Sequence, residues 1–203
     1  MPAHYALSDA FIVLITIFAG NALRENGQNL LAFAMACFGI AAAVGVVRFA
    51  GGLQDELASL HSGASQYLGL VGTLAVASAC VFRGGGRGDA LRLGIILSVA
   101  GAGYVFARPL LAPFFILALV IAFIAATARP FSSQQKWLVP IGVVIMLANA
   151  IFIRRAAWLD EAVSWHLYHV LVALALAVLA KGMIVTERNM RNPLHDVGPY
   201  HAL

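Results

Sequence analysis

Seven long apolar runs, separated by short polar or glycine-rich segments, constrain this chain more than any other feature. Each run approaches the ~20 residues that an α-helix needs to cross the hydrocarbon core of a bilayer. The runs cover residues 7–23, 30–50, 62–82, 91–107, 110–127, 138–153 and 163–183. Because the connections are short, consecutive helices must run antiparallel. The sequence therefore predicts an all-α, polytopic membrane protein folded as a seven-transmembrane-helix bundle.

The composition indicates a lipid environment. Of the 203 residues, 62% are hydrophobic and 11% are charged, whereas a soluble domain is about half apolar and about a quarter charged. The net charge of +4 is spread over short loops, without a basic stripe that interleaves with aromatic residues, so we expect no nucleic-acid partner. The predicted organisation is one transmembrane domain, residues 1–185, and a polar C-terminal tail, residues 186–203.

The distribution of positive charge predicts the orientation, since cytoplasmic loops of membrane proteins are enriched in Lys and Arg. With seven spans, nine of the 13 Lys and Arg residues fall on the side of the C-terminus. The four on the N-terminal side include Arg48, Arg108 and Arg154. We therefore expect an outward-facing N-terminus, a cytoplasmic C-terminus and a location in the inner (plasma) membrane of the cell.

Small residues predict where the helices touch, because close backbone approach drives packing in lipid. The Gly- and Ala-rich faces also predict contacts with a further copy of the chain or with another membrane protein. The glycines concerned are Gly39, Gly45, Gly69, Gly72, Gly94, Gly101 and Gly103. The two cysteines, Cys37 and Cys80, lie in or at the end of apolar runs and are interpreted as small packed residues.

The segment 160–169, at the start of the last apolar run, places ionisable groups at the mouth of a membrane-length helix. Such groups are costly at membrane depth and are therefore candidates for function. His166 and His169 are three residues apart, so they share one helix face. The predicted topology brings this helix end to the same side of the membrane as Asp9, Arg48 and His61.

One hypothesis for this group of residues is a zinc centre. Three imidazoles, from His61, His166 and His169, would hold the ion and leave a fourth position for an activated water. The carboxylate of either Asp9 or Asp160 is a candidate for the acid/base role. The hydroxyl of either Ser62 or Ser164 is a candidate for stabilising an oxyanion.

Other interpretations of the same residues stay open. Aromatic and histidine side chains at a helix end are common anchors at the membrane interface. Asp9 is also placed to stabilise a helix N-terminus. Arg48 would disfavour a divalent cation in a shared cavity and would favour an anionic ligand, such as a lipid phosphate or carboxylate.

The segment Trp165-His166-Leu167-Tyr168-His169-Val170-Leu171, taken with His61 and the seven-span count, resembles the superfamily of alkaline ceramidases, adiponectin and progestin receptors and hemolysin-III-like proteins. The resemblance implies a seven-helix bundle with zinc held by an early-span histidine and two last-span histidines, with serine and aspartate nearby. The last-span pair departs from the family, where the usual spacing is four residues.

Three functions follow from these observations. The first is a zinc-dependent intramembrane hydrolase that acts on lipid amides or esters. The second is a non-enzymatic membrane protein that binds a lipid or small ligand through the same cavity and Arg48. The third is an accessory subunit of a membrane complex.

Overall fold

A computed structural model describes residues 3–82, 87–128, 137–154 and 156–191. Within these ranges the chain forms seven α-helices and no strand. The helices are α1 (Tyr5–Glu25), α2 (Asn29–Ala50), α3 (Ala58–Val81), α4 (Arg87–Phe106), α5 (Leu111–Thr127), α6 (Leu138–Ala148) and α7 (Glu161–Arg191). A 3-10 turn, Arg108–Leu110, precedes α5, and a π-helical turn, Asn149–Ile153, continues α6.

Six segments of the described chain are long and apolar enough to cross a bilayer. They are Tyr5–Glu25, Asn29–Ala50, Ala58–Val81, Gly88–Phe106, Arg108–Thr127 and Glu161–Ile184. A shorter apolar helix, Leu138–Ile153, comprises α6 and its π turn. The helices are therefore compatible with a multi-pass membrane protein, whereas the count of seven spans and the orientation stay predictions. Because α7 continues to Arg191, residues 186–191 of the predicted tail are helical, and residues 192–203 lie outside the described residues.

The helices α1, α2, α3, α5, α6 and α7 pack side by side in that order, and α7 returns to α1. They therefore form a closed ring. The remaining helix, α4, packs mainly on the outside of α3. In its spanning segment 17% of the residues are buried, against 50% in α2. Six of the seven helices of the described chain thus enclose the interior of the ring.

Close packing explains some of the small residues but not all of them. A Cβ atom built on Gly72 of α3 would lie 2.8 Å from the Phe38 ring of α2. On Gly94 of α4 it would meet nothing within 4 Å. Cys37 and Cys80 are both buried inside the main core, as expected of packed small residues.

The helices α6 and α7 approach each other closely at two glycines that were not singled out from the sequence. A Cβ atom on Gly142 would lie 2.9 Å from the carbonyl oxygen of Ala175, and one on Gly182 would lie 2.9 Å from the backbone nitrogen of Val139. The absence of side chains here lets the two backbones touch, which fixes the position of α7 in the ring.

The turn between α1 and α2 also depends on a glycine. The backbone N–H of Gln28 donates to the carbonyl of Leu23 at 2.9 Å, and Gly27 between them adopts a φ of 76°. This left-handed conformation is costly for residues with a side chain. It ends α1 sharply and brings α2 back against it.

Candidate functional site

A cavity of about 980 Å³ lies at the end of the ring where α2 ends and α3, α5 and α7 begin. All six helices of the ring contribute side chains to its wall, and α4 contributes none. The volume is at the upper end of the range of about 300–1,000 Å³ found for small-molecule sites. Several of the site residues predicted from the sequence line this cavity, among them Asp9, His61 and His169.

Three arginines line the rim of this cavity: Arg48 at the end of α2, Arg108 before α5 and Arg154 after the π turn. The Arg108 guanidinium donates to the Tyr104 hydroxyl at 3.0 Å, and that of Arg154 lies 5.9 Å from the centre of the Tyr168 ring. Among the described residues, none of the three forms an ion pair with a carboxylate. The described part of the rim therefore carries three guanidinium groups and one acidic residue, Glu161, which forms no ion pair with them.

The inner wall of the cavity is apolar. Ten positions separate Arg48 from Phe38 along α2, and seven separate Arg108 from Phe115. At 1.5 Å per residue the apolar end thus lies about 10–15 Å below the rim. The residues that form it are Ile12, Phe38, Phe115, Met146 and Val172.

A buried carboxylate lies between the rim and the apolar end. Asp9 of α1 is 1% exposed, and Oδ1 lies 3.1 Å from Nε2 of His169. This contact has the length of an ion pair but not the alignment of a hydrogen bond, because neither Asp9 oxygen has a hydrogen-bond partner in the described part of the chain. A carboxylate this deeply buried is costly, so Asp9 stays a candidate functional residue, with His169 as its neighbour.

Gly45 makes the space for this carboxylate. A Cβ atom at Gly45 would lie 2.8 Å from Cγ of Asp9 and 3.1 Å from Nε2 of His61. Both groups therefore point at the same place on the surface of α2. No other residue type would leave room for them.

The histidines on either side of Asp9 hold opposite tautomers when neutral. Arg48 Nη1 lies 3.2 Å from Nδ1 of His61, and a guanidinium can only donate, so the ring proton of His61 is on Nε2. In His169, Nδ1–H donates to the carbonyl of Trp165 at 2.7 Å, so Nε2 carries a lone pair. When both rings are neutral, His61 therefore carries its proton at Nε2, near Gly45, and His169 carries a lone pair on the atom nearest to Asp9.

Trp165 also lines the cavity, although it is not among the site residues predicted from the sequence. Its indole Nε1–H is buried and has no hydrogen-bond partner in the described chain. Its ring centre lies 4.4 Å from that of His169. The spacing of four residues places both side chains on one face of α7 and is the signal that could have identified Trp165.

The other predicted histidine of α7 lies elsewhere. His166 is not part of the cavity wall, and its Nδ1 atom is 3.1 Å from Oγ of Ser8, in the contact between α1 and α7. Its ring also packs on those of His4 and Tyr5. The structure therefore brings together His61, His169 and Asp9 but leaves His166 apart from them.

Of the predicted serines and aspartates, some line the cavity and one lies outside it. Ser62 and Ser164 both line the cavity, and Oγ of Ser164 donates to the carbonyl of Ile153 at 2.9 Å. Asp160 is exposed and accepts the backbone N–H of Ala162 at 2.9 Å. It therefore caps α7, outside the cavity wall.

Zinc coordination requires at least three protein ligands that converge on one point. Among the described residues, no group of three or more His, Cys, Asp or Glu side chains is arranged to hold a metal ion. His166 is turned toward Ser8, and the free ring nitrogen of neutral His61 carries a proton. The side chains as arranged do not fit a three-ligand site, so zinc binding stays a prediction from the sequence.

Comparisons of this chain with models of protein families, with curated proteins and with solved structures find no match. The resemblance to the seven-helix superfamily therefore stays an interpretation of the sequence motif.

Proposed function

We propose that this chain is an integral membrane protein that binds an anionic amphiphile in the cavity of its helix ring. The headgroup, a carboxylate or a phosphate, pairs with the arginines of the rim, and the hydrocarbon chain lies against the apolar inner wall. The observation that carries the proposal is the position of Arg48, Arg108 and Arg154 above an apolar pocket end, where they pair with no carboxylate of the described residues.

The charges in the cavity also favour one orientation of the ligand. Guanidinium groups bind carboxylates and phosphates through paired hydrogen bonds, each contributing about 1.5–3 kcal/mol. The buried Asp9 carboxylate repels an anion that moves deeper. The headgroup is therefore held at the rim, and only the uncharged chain enters the inner end.

Photolabelling tests this proposal. A fatty acid with a diazirine in its chain is added to membranes that contain the protein, and the labelled residues are mapped by mass spectrometry. We expect labels on the inner wall, at Phe38 and Val172, that an excess of unlabelled fatty acid or alkyl phosphate removes. The relative potency of these two competitors decides which headgroup the site prefers.

The matched controls change arginines at the rim and far from it, and compare labelling inside the cavity with labelling on the lipid-facing surface. Replacing Arg48 and Arg154 by Gln should reduce the cavity labelling at least tenfold, since a loss of about 1.4 kcal/mol is already tenfold. Arg24→Gln, at the far end of α1, should leave it unchanged. Labelling confined to lipid-facing residues such as Leu14, or equal competition by an uncharged primary amide of the same chain length, contradicts the proposal.

Hydrolysis of an ester or amide in such a ligand is a second candidate function. It is favoured by the Nε2 lone pair of His169 in the cavity wall, beside Asp9. His169 would take a proton from water as the water oxygen bonds to the carbonyl carbon, and the leaving group would depart with a proton.

Product release from a lipid ester and from a lipid amide tests this second candidate, with His169→Asn as the inactive variant. Metal analysis of the purified protein separates a zinc-dependent reaction from one without metal. Stoichiometric zinc that is lost in His61→Ala and His169→Ala supports the zinc site of the sequence analysis. Unchanged ester and amide after long incubation contradicts hydrolysis but leaves amphiphile binding intact.

A further inference from the structure

The three arginines of the rim are held in place by different parts of the fold. Arg48 contacts His61 of α3, and Arg154 lies against the ring of Tyr168 of α7. Both of these partners belong to helices of the ring, and both line the cavity. Arg108 differs from the other two, because its contact comes from α4, the helix that packs outside the ring.

Tyr104 of α4 holds the Arg108 side chain by two contacts at once. The guanidinium donates from Nη2 to the Tyr104 hydroxyl at 3.0 Å, and its Cζ atom lies 4.8 Å from the centre of the same ring. The second distance is within the range of a cation–π interaction. Arg108 is exposed and belongs to the short turn between α4 and α5. Without these contacts its long side chain would be free to adopt many rotamers.

The position of Tyr104 is in turn fixed by α3. A Cβ atom built on Gly63 would lie 2.7 Å from the Tyr104 hydroxyl oxygen, so this hydroxyl rests against α3 where that helix has no side chain. The ring of Tyr67, one turn further along α3, packs edge-on against the ring of Tyr104, with their centres 5.8 Å apart. Gly63 directly follows Ser62, which lines the cavity. The Tyr104 hydroxyl therefore lies at the level of the rim, although none of the described wall residues comes from α4.

The contact with Tyr104 leaves Arg108 able to bind an anion. A guanidinium has several N–H donors, and the phenol oxygen accepts only one of them. The hydroxyl is uncharged, so it orients the guanidinium without neutralising it, as a carboxylate in the same place would do. Because an oriented side chain loses less conformational freedom when a ligand binds, the contact strengthens anion binding by Arg108.

We infer that Tyr104 is a positioning residue of the binding site, whose hydroxyl and ring hold the Arg108 guanidinium in place for the anionic headgroup of the ligand. The inference rests on the proposed function, because it assumes an anion at the rim. It gives α4 a role at a cavity whose described wall it does not form. It also distinguishes Tyr104 from a packing residue, since Tyr104 acts through Arg108 and only on charged ligands.

The charge preference of the cavity tests this inference in the photolabelling assay. It is the concentration of tetradecanamide that halves the labelling of Phe38 and Val172, divided by the concentration of tetradecanoic acid that does the same. A general loosening of the cavity changes both concentrations, whereas a displaced arginine changes only that of the acid. Tyr104→Phe keeps the ring and loses the hydroxyl. We expect it to lower the ratio about three- to tenfold, the change expected from one lost hydrogen bond.

Matched variants separate the hydroxyl from its surroundings. Tyr67→Phe removes the neighbouring hydroxyl but leaves the contact between Tyr104 and Arg108 intact, so it should keep the ratio. In an Arg108→Gln background, Tyr104→Phe should change the ratio by less than about twofold, because the side chain that it orients is gone. Gly63→Ala is an independent variant. Its added Cβ atom must displace the Tyr104 hydroxyl, so the ratio should fall as in Tyr104→Phe.

The outcomes separate the inference from the proposed function. If Arg108→Gln lowers the ratio and Tyr104→Phe does not, the positioning role is overturned and amphiphile binding stands. The same conclusion follows if Tyr67→Phe has an equal effect, or if Tyr104→Phe acts equally in the Arg108→Gln background. A ratio that Arg108→Gln leaves unchanged also overturns the inference, and the proposed function then depends on Arg48 and Arg154. If the unmodified protein shows no cavity labelling, or the amide and the acid compete equally, both fall.

Discussion

Nε2 of His169 lies 3.1 Å from Oδ1 of Asp9, so the first helix and the last helix meet at the wall of the cavity. His61, whose ring is oriented by the Arg48 guanidinium, lies with Asp9 against the same position of α2, Gly45. The group is held by α1, α2, α3 and α7, which makes its geometry a property of the closed ring.

Gly45→Ala tests whether the space beside Asp9 is needed. The added Cβ atom would lie 2.8 Å from Cγ of Asp9, well inside van der Waals contact, and must displace the carboxylate or α2. We expect a destabilisation of about 1–3 kcal/mol, as for other overpacked sites, and a loss of cavity photolabelling. Thermal unfolding in detergent and the competition assay measure the two effects.

Gly94→Ala is the control for that substitution, because a Cβ atom on this residue of α4 meets nothing within 4 Å. It should be neutral or stabilising by up to about 1 kcal/mol, since alanine is the better helix former. Equal stability and equal labelling of the two alanine variants would show that Gly45 is not required for the position of Asp9.

His166 and His169 are expected to differ in their effect on binding. His169 lines the cavity and His166 contacts Ser8 outside it. We therefore expect His169→Ala to alter the concentration at which a fatty acid competes, and His166→Ala to leave it within about twofold, roughly 0.4 kcal/mol. The same competition series measures both variants. A similar large loss in both, together with bound zinc that both remove, would instead favour the three-histidine site.

Asp160 is expected to act on stability and not on ligand binding or catalysis. Its Oδ1 accepts the backbone N–H of Ala162, so Asp160→Ala should cost about 0.5–2 kcal/mol through the lost helix cap. Asp160→Asn keeps a good capping side chain but has no acid/base function, so it should retain both stability and binding. Unfolding temperature and ligand competition check the pair. A normal unfolding temperature with abolished turnover of a lipid ester in Asp160→Asn would restore the acid/base role.

The sequence predicts the helices, because the apolar runs have the length of a membrane span. It also predicts which residues lie at the same end of the bundle, because short connections make consecutive helices antiparallel. The alternation of the predicted spans places Arg48, Arg108 and Arg154 on one side, and they line one cavity. What apolar periodicity does not encode is the order of helices around the ring. The exclusion of α4 from the interior depends on contacts between distant segments.

The directions in which the side chains of α7 point also cannot be predicted from the sequence alone. His166 and His169 share a face by spacing, but three residues still separate their directions by roughly 60° at 3.6 residues per turn. That difference is enough for Ser8 of α1 to contact one ring while the other enters the cavity. The four-residue spacing of Trp165 and His169 was the better indicator of a common site.

The length of α6 makes the topology testable. The 11 residues of the helix and the 5 of its π turn extend about 24 Å, less than the ~30 Å hydrocarbon core. Yet Arg154 lies at the same end of the ring as Arg48 and Arg108, which requires α6 to run from one end of the bundle to the other. We therefore predict that α6 crosses the membrane.

Cysteine accessibility checks this prediction in a Cys37→Ala, Cys80→Ala background. Five helices separate Glu25, at the end of α1, from the exposed Trp158 after α6. If all five cross, the two positions lie on opposite sides of the membrane. A membrane-impermeant maleimide should then label Trp158→Cys in intact cells and Glu25→Cys only after disruption, because the excess of positive charge predicts a cytoplasmic α1–α2 turn. Labelling of both positions from the same side would contradict the crossing of all five helices, and the reversed pattern would mean that the N-terminus faces the cytoplasm.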